Sequence, residues 1–159
     1  MDTRAPYEPP AAPVADPPQP PGRFTRWEKI LIVVLLVNAA TGLFFIGGAF
    51  LATGTSSRVL VAAALTLPAL GFISAGLMLR APTLALALGA LFYFVQSIAY
   101  MGPSGTWGVR SGFNVTISVP HGDGILALNA FALVFGFMHI VAAANRHARS
   151  RLDSSESVA

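Results

Sequence analysis

Residues 30–52 read ILIVVLLVNAATGLFFIGGAFLA and contain no charged side chain. An α-helix rises about 1.5 Å per residue, so a run of this length spans the roughly 30 Å hydrocarbon core of a bilayer. Three more apolar runs of similar length follow it. The four runs predict membrane helices at about 30–52, 59–79, 82–101 and 125–144. The lipid bilayer is therefore the first expected partner of this chain.

The composition favours the same class of protein. Apolar residues make up 54% of the 159 residues and charged residues only 11%. A water-soluble fold of this size could not cover four helices that are apolar on all sides. We therefore expect an all-α integral membrane protein, an up-down-up-down bundle of four transmembrane helices. The chain has no cysteine, which excludes disulfides and thiolate metal sites.

Two tails flank the predicted four-helix transmembrane domain, which covers residues 27–145. Residues 1–26 hold most of the prolines, and such a segment is expected to be a disordered cytoplasmic tail. Residues 146–159 are first basic and then polar, which is typical of a second solvated tail.

The positions of the basic residues predict the orientation. Cytoplasmic flanks of membrane helices are rich in Lys and Arg. We therefore expect a protein of the bacterial plasma membrane with both termini on the cytoplasmic side. This orientation leaves only Arg58 and Arg110 outside. It places the other basic residues inside, namely Arg4, Arg23, Arg26, Lys29, Arg80, Arg146, Arg149 and Arg151.

Small residues spaced four apart predict close helix packing, because lipid supplies no hydrophobic force between membrane helices. Such pairs include Gly71 with Ala75 and Ala132 with Gly136. They favour a tight bundle, and they also favour association with a second copy or with another membrane protein.

Polar residues inside the apolar runs are the first place to look for a site. No Asp or Glu lies there, so the carboxylate of a proton-coupled pump is missing. Gln96 and Asn129 are expected at the same depth, with Thr41 and Thr66 near that plane. These four residues are the candidate polar pocket, and interhelical hydrogen bonding is the alternative interpretation.

His139 is a separate candidate, because a membrane histidine can ligate haem or carry a proton. A single histidine supplies one axial ligand, so we expect no haem. The alternative is a neutral imidazole that is hydrogen-bonded to Ser74 or to a backbone carbonyl.

The outer loop, residues 102–124, has a pattern of its own. Apolar and polar residues alternate from Phe113 to Val119, which predicts a strand. Residues 107–110 could pair with it as a short β-hairpin that covers the bundle. His121 and Asp123 supply only two potential metal ligands, so no metal site is expected.

The function expected from these features is association: a structural or accessory subunit that acts through its helix faces, with itself or with a membrane partner. No cofactor, catalytic residue or nucleic-acid partner is expected. A quinone- or lipid-binding module, or a subunit of a membrane redox complex, is the alternative. In layout alone the chain resembles small four-helix families such as the DoxX-like proteins, and no residue role is carried over. A transporter or pore is a third possibility.

Overall fold

The computed structural model describes residues 24–53, 58–108 and 112–156. Four helices and four strands occur in these residues. In chain order they are α1 (Arg26–Thr53), α2 (Arg58–Leu77), α3 (Pro82–Val95), β1 (Ile98–Gly102), β2 (Gly105–Trp107), β3 (Thr116–His121), β4 (Gly124–Asn129) and α4 (Ala130–Glu156).

The helices pack in chain order, α1 on α2, α2 on α3 and α3 on α4, whereas α1 and α4 touch over a short stretch only. Gly71 permits one close approach, since a Cβ there would lie 2.8 Å from the Cβ of Ala39. The main core cluster contains Leu35, Ala39, Leu67, Phe92, Tyr93 and Ala132. A second cluster, toward the start of α1, contains Leu31, Met78, Ala85 and Leu86.

The prediction of a four-transmembrane all-α bundle is wrong, and the third predicted helix shows why. The predicted helix 82–101 ends at Val95, and the chain continues as β1. Ser97 Oγ donates a hydrogen bond to the carbonyl of Tyr93 at 3.1 Å, which satisfies an acceptor at the helix end. A short apolar run such as Ile98–Met101 suits a buried helix or a strand equally well, so periodicity could not separate the two.

The fourth predicted helix, 125–144, is wrong in the same way. Residues Gly124–Asn129 form β4, and α4 begins at Ala130. β4 pairs antiparallel with β1 on one side and with β3 on the other, which gives one sheet of order β2-β1-β4-β3. One end of each of these two predicted helices is therefore a strand of the same four-stranded sheet.

The strand expected at 113–119 is present in part as β3, but its partner differs from the expected one. β3 pairs with β4 through a two-residue turn at Gly122 and Asp123. Gly122 has φ +56°, the conformation that a type II′ hairpin turn requires at its first central position. Trp107 lies in β2, which pairs with β1, and residues 109–111 lie outside the described part of the chain.

Among the described residues, one helix is long and apolar enough to cross a membrane, the part of α1 from Arg26 to Gly48. The apolar stretches Ala64–Leu77 and Pro82–Val95 are shorter, and 14 residues of helix cover only about 21 Å. This corrects the multi-pass prediction: the helix near the N-terminus supports membrane association and does not support four spans.

The structure describes almost none of the predicted N-terminal tail, and it shows most of the predicted C-terminal tail as helix. Residues 1–23 lie outside the described residues. At the other end, α4 continues as helix to Glu156, through the basic segment that was expected as a tail.

Candidate functional site

Gln96 and Asn129 are both buried, Gln96 directly after the end of α3 and Asn129 directly before the start of α4. The backbone N–H of Asn129 donates to the carbonyl of Ser97 at 2.8 Å, so the end of α3 is joined to the start of α4. The Asn129 side chain accepts a hydrogen bond from the N–H of Ala132, the contact of a helix N-cap. Gln96 donates to the carbonyl of Phe92 at 2.9 Å. Each side chain therefore satisfies a helix end.

The two threonines of the predicted polar pocket are placed differently. Thr41 donates to the carbonyl of Val37, one turn earlier in α1, at 2.8 Å. Thr66 lies on an exposed face of α2. The structure thus joins Ser97, the neighbour of Gln96, to Asn129, and it places Thr66 on an exposed surface.

His139 is buried between α4 and α3. Its Nδ1 lies 2.8 Å from the carbonyl of Phe135, so in the neutral imidazole this nitrogen donates. A Cβ on Gly89 would lie 2.8 Å from Nε2, so the ring fills the space left by that glycine. Ser74 donates instead to the carbonyl of Ala85 at 2.6 Å, and the predicted His139–Ser74 pair is not formed.

Tyr93 and Asn38 form a buried polar pair in the middle of the bundle. The Tyr93 hydroxyl is directed toward Asn38, but it makes no hydrogen bond of regular geometry within the described residues. The Asn38 side-chain oxygen accepts from the N–H of Phe113. α1 is thereby attached to the segment that precedes β3.

One face of the sheet is apolar and open. Because residues opposite each other in an antiparallel sheet share a face, the register places apolar residues from all four strands together. Tyr100 stacks on Trp107 with ring centroids 6.1 Å apart. Four members of this face are exposed by 45% to 57%: Ile98, Trp107, Ile117 and Val119. We call the whole set the outer face; it also contains Tyr100, Leu126 and Leu128.

β3 is an edge strand with unusual exposure. All six of its residues are exposed and none carries a formal charge, although edge strands are commonly protected by charged residues. In a two-residue hairpin the residues next to the turn exchange hydrogen bonds, so Val119 and Ile117 bond to β4. The backbone groups of Ser118 and Thr116 therefore point to the free edge. Pro120 lacks an N–H on that same edge, a usual position for a strand proline.

A charged cluster lies at the opposite end of the bundle. We call Glu28, Arg146 and Arg149 the Glu28 cluster. The Glu28 side chain is 1% exposed, and its two oxygens accept from Arg146 Nη1 at 3.1 Å and from Arg149 Nη2 at 3.3 Å. Glu28 also accepts from the N–H of Thr25 at 2.8 Å, while the Thr25 hydroxyl accepts from the N–H of Glu28. The reciprocal pair is a capping box at the start of α1.

An open groove of about 760 Å³ lies in the seam between α1 and α4. Its polar end contains Glu28, Asn145 and Arg149. Its walls are apolar and include Leu31, Phe137, Met138, Val141 and Ala142. A smaller hollow of about 310 Å³ lies further along the same seam, between the valines of α1 and the phenylalanines of α4.

The Glu28 cluster, the groove and the outer face are absent from the sites expected from the sequence. The capping box could have been found, since Thr25 and Glu28 have the required spacing directly before the first apolar run. Nothing in the sequence pairs Glu28 with Arg146, because the two are far apart in the chain and only the fold brings them together.

In the part of the chain that the structure describes, no group of three or more His, Cys, Asp or Glu side chains could hold a metal ion. Comparisons with protein-family models, with curated proteins and with solved structures find no match to this chain.

Proposed function

We propose that this chain is a membrane-associated accessory protein that acts by association with a second copy of itself. α1 holds it in the bacterial plasma membrane, and the sheet provides the contact. The observation that carries the proposal is β3, an edge strand beside an apolar face; all six of its residues are exposed and carry no formal charge.

The orientation of α1 follows from its charges. Its first residues lie beside the basic segment of α4, since Glu28 bonds Arg146 and Arg149. Cytoplasmic flanks of membrane helices are rich in such residues, so this end faces the cytoplasm. Trp27 is 65% exposed there and is suited to the interface between lipid and water.

The geometry of β3 defines how two copies would pair. A two-fold axis perpendicular to the sheet keeps both outer faces on one side and places Ser118 opposite Ser118 of the second copy. Ser118 exchanges both of its backbone hydrogen bonds across this axis, because its N–H and C=O point to the free edge. Ile117 then lies opposite Val119, so the two outer faces form one apolar surface.

The other edge of the sheet is a poorer candidate. β2 has only three residues, Gly105–Trp107, and very short edge strands are a common protection against pairing. β3 offers twice that length. The pairing of two copies is therefore expected through β3.

The proposal is tested by native mass spectrometry of the protein in lipid nanodiscs. The unaltered chain is expected as a dimer. Val119→Lys is expected to be a monomer, because it places a charge on the shared apolar surface. Thr106→Lys puts the same charge on the exposed β2 strand and should leave the dimer intact. A monomeric unaltered chain, or equal dimer in both variants, would contradict pairing through β3.

A further inference from the structure

We propose that the groove between α1 and α4 binds one anionic phospholipid, with its phosphate at Arg149 and an acyl chain along the apolar walls. The inference rests on the membrane association proposed above. It does not depend on pairing through β3, since the groove lies at the other end of the bundle.

The size and form of the groove suit an acyl chain. A volume of about 760 Å³ is within the range of sites for small organic ligands, roughly 300 to 1,000 Å³. Its walls are formed by side chains such as Leu31, Phe137 and Val141, and it lies between two helices that touch over a short stretch only. The smaller hollow further along the seam is lined by six apolar residues.

The charge at the polar end favours an anion. One carboxylate faces two guanidinium groups, so the Glu28 cluster has a formal net charge of +1. Arg149 uses Nη2 for Glu28 and Nε for the carbonyl of Asn145. Within the described residues its Nη1 donors have no hydrogen-bond partner, and its side chain is 47% exposed. These donors are available to a phosphate, which guanidinium groups bind well.

A neutral ligand such as a quinone would fit the apolar walls, but it would provide no negative charge to pair with the net positive charge of the Glu28 cluster. A free phosphate would use the charge but not the walls. Basic residues at the cytoplasmic membrane surface attract anionic lipids, and here the basic end opens directly into an apolar groove. A phospholipid with an anionic headgroup uses both features at once.

The test is native mass spectrometry of the detergent-solubilised full chain with added lipid. Dioleoylphosphatidylglycerol is compared with dioleoylphosphatidylcholine, which has the same acyl chains and no net charge. We expect about fivefold tighter binding of the anionic lipid, the preference that one basic residue confers near a membrane surface. Equal binding of the two lipids would overturn the inference.

Three variants locate the lipid. Arg149→Gln is expected to abolish the preference, whereas Arg151→Gln removes the same charge two residues later and should keep it. Equal losses in both would indicate a diffuse surface charge and would contradict the groove. Ala142→Phe narrows the groove and is expected to weaken the binding of both lipids. An unchanged circular dichroism spectrum and unchanged thermal unfolding would show that this variant is folded.

Glycerol 3-phosphate alone distinguishes a phosphate site from a lipid site. We expect no binding of this headgroup analogue at concentrations that saturate the lipid, and comparable binding would overturn the lipid assignment. Pairing through β3 is measured separately, in the nanodisc spectra described above. Failure of the groove is thus recorded separately from failure of pairing, and membrane association is checked by carbonate extraction of the cell membranes.

Discussion

The two ends of the helical bundle differ in how polar and apolar groups are used. At the Glu28 end, a buried carboxylate is fully paired and fixes α1 to α4. At the sheet end, buried side chains cap helices while the apolar outer face remains open. The comparison indicates that the first end stabilises the fold and that the second end is available for association.

Loss of the carboxylate at Glu28 is expected to have the largest effect on stability. Glu28→Ala removes the capping box and leaves Arg146, whose side chain is 16% exposed, without its partner. We expect a loss of about 2 to 4 kcal/mol in the free energy of unfolding, because breaking one side of a buried ion pair leaves an uncompensated charge. Thermal unfolding in detergent measures it.

Asp123→Asn is the matched control for Glu28→Ala, since it removes an acid from an exposed turn. Equal free energies of unfolding for the two variants would contradict the claim that the Glu28 end of the bundle stabilises the fold.

Crowding between α3 and α4 is expected to have the next largest effect. Gly89→Ala would place a Cβ against the His139 ring, with 2.8 Å to Nε2. Overpacking of this kind costs about 1 to 3 kcal/mol. Chemical denaturation followed by circular dichroism measures the change.

Gly76→Ala is the control for Gly89→Ala, since nothing lies within 4 Å of a Cβ built there. It is expected to stabilise α2 by up to about 1 kcal/mol, because Ala favours helix more than Gly. A destabilised Gly76→Ala together with a neutral Gly89→Ala would contradict the helix packing described.

Removal of the α4 cap is expected to have a smaller effect. Asn129→Ala should lower the free energy of unfolding by about 1 kcal/mol, the usual cost of losing an N-cap. Asn129→Ser retains a capping oxygen and should recover most of the loss. If Ser and Ala are equally destabilising, the buried amide has a role other than capping, and the polar pocket at Gln96 and Asn129 would regain support.

The sequence was sufficient to find one long apolar helix near the N-terminus, but not the ends of the later helices. Residues 98–101 and 125–128 are apolar and adjoin helical runs, so composition continued the helices through them. These residues form strands because β1 pairs with β4, and this pairing depends on contacts between residues far apart in the chain. The Glu28 cluster could not be predicted either, because Glu28 and Arg146 are far apart in the chain.

The central claim, that β3 is the strand through which two copies associate, is tested most directly by a disulfide between them. The chain has no cysteine, so Ser118→Cys introduces a single thiol. Opposite residues of a hydrogen-bonded antiparallel pair have Cα atoms about 5.5 Å apart, within the range of disulfides. Ser104→Cys, in the exposed turn between β1 and β2, is the control. Mild oxidation in native membranes is expected to crosslink Ser118→Cys and leave Ser104→Cys monomeric, and crosslinking of neither or of both equally would contradict the claim.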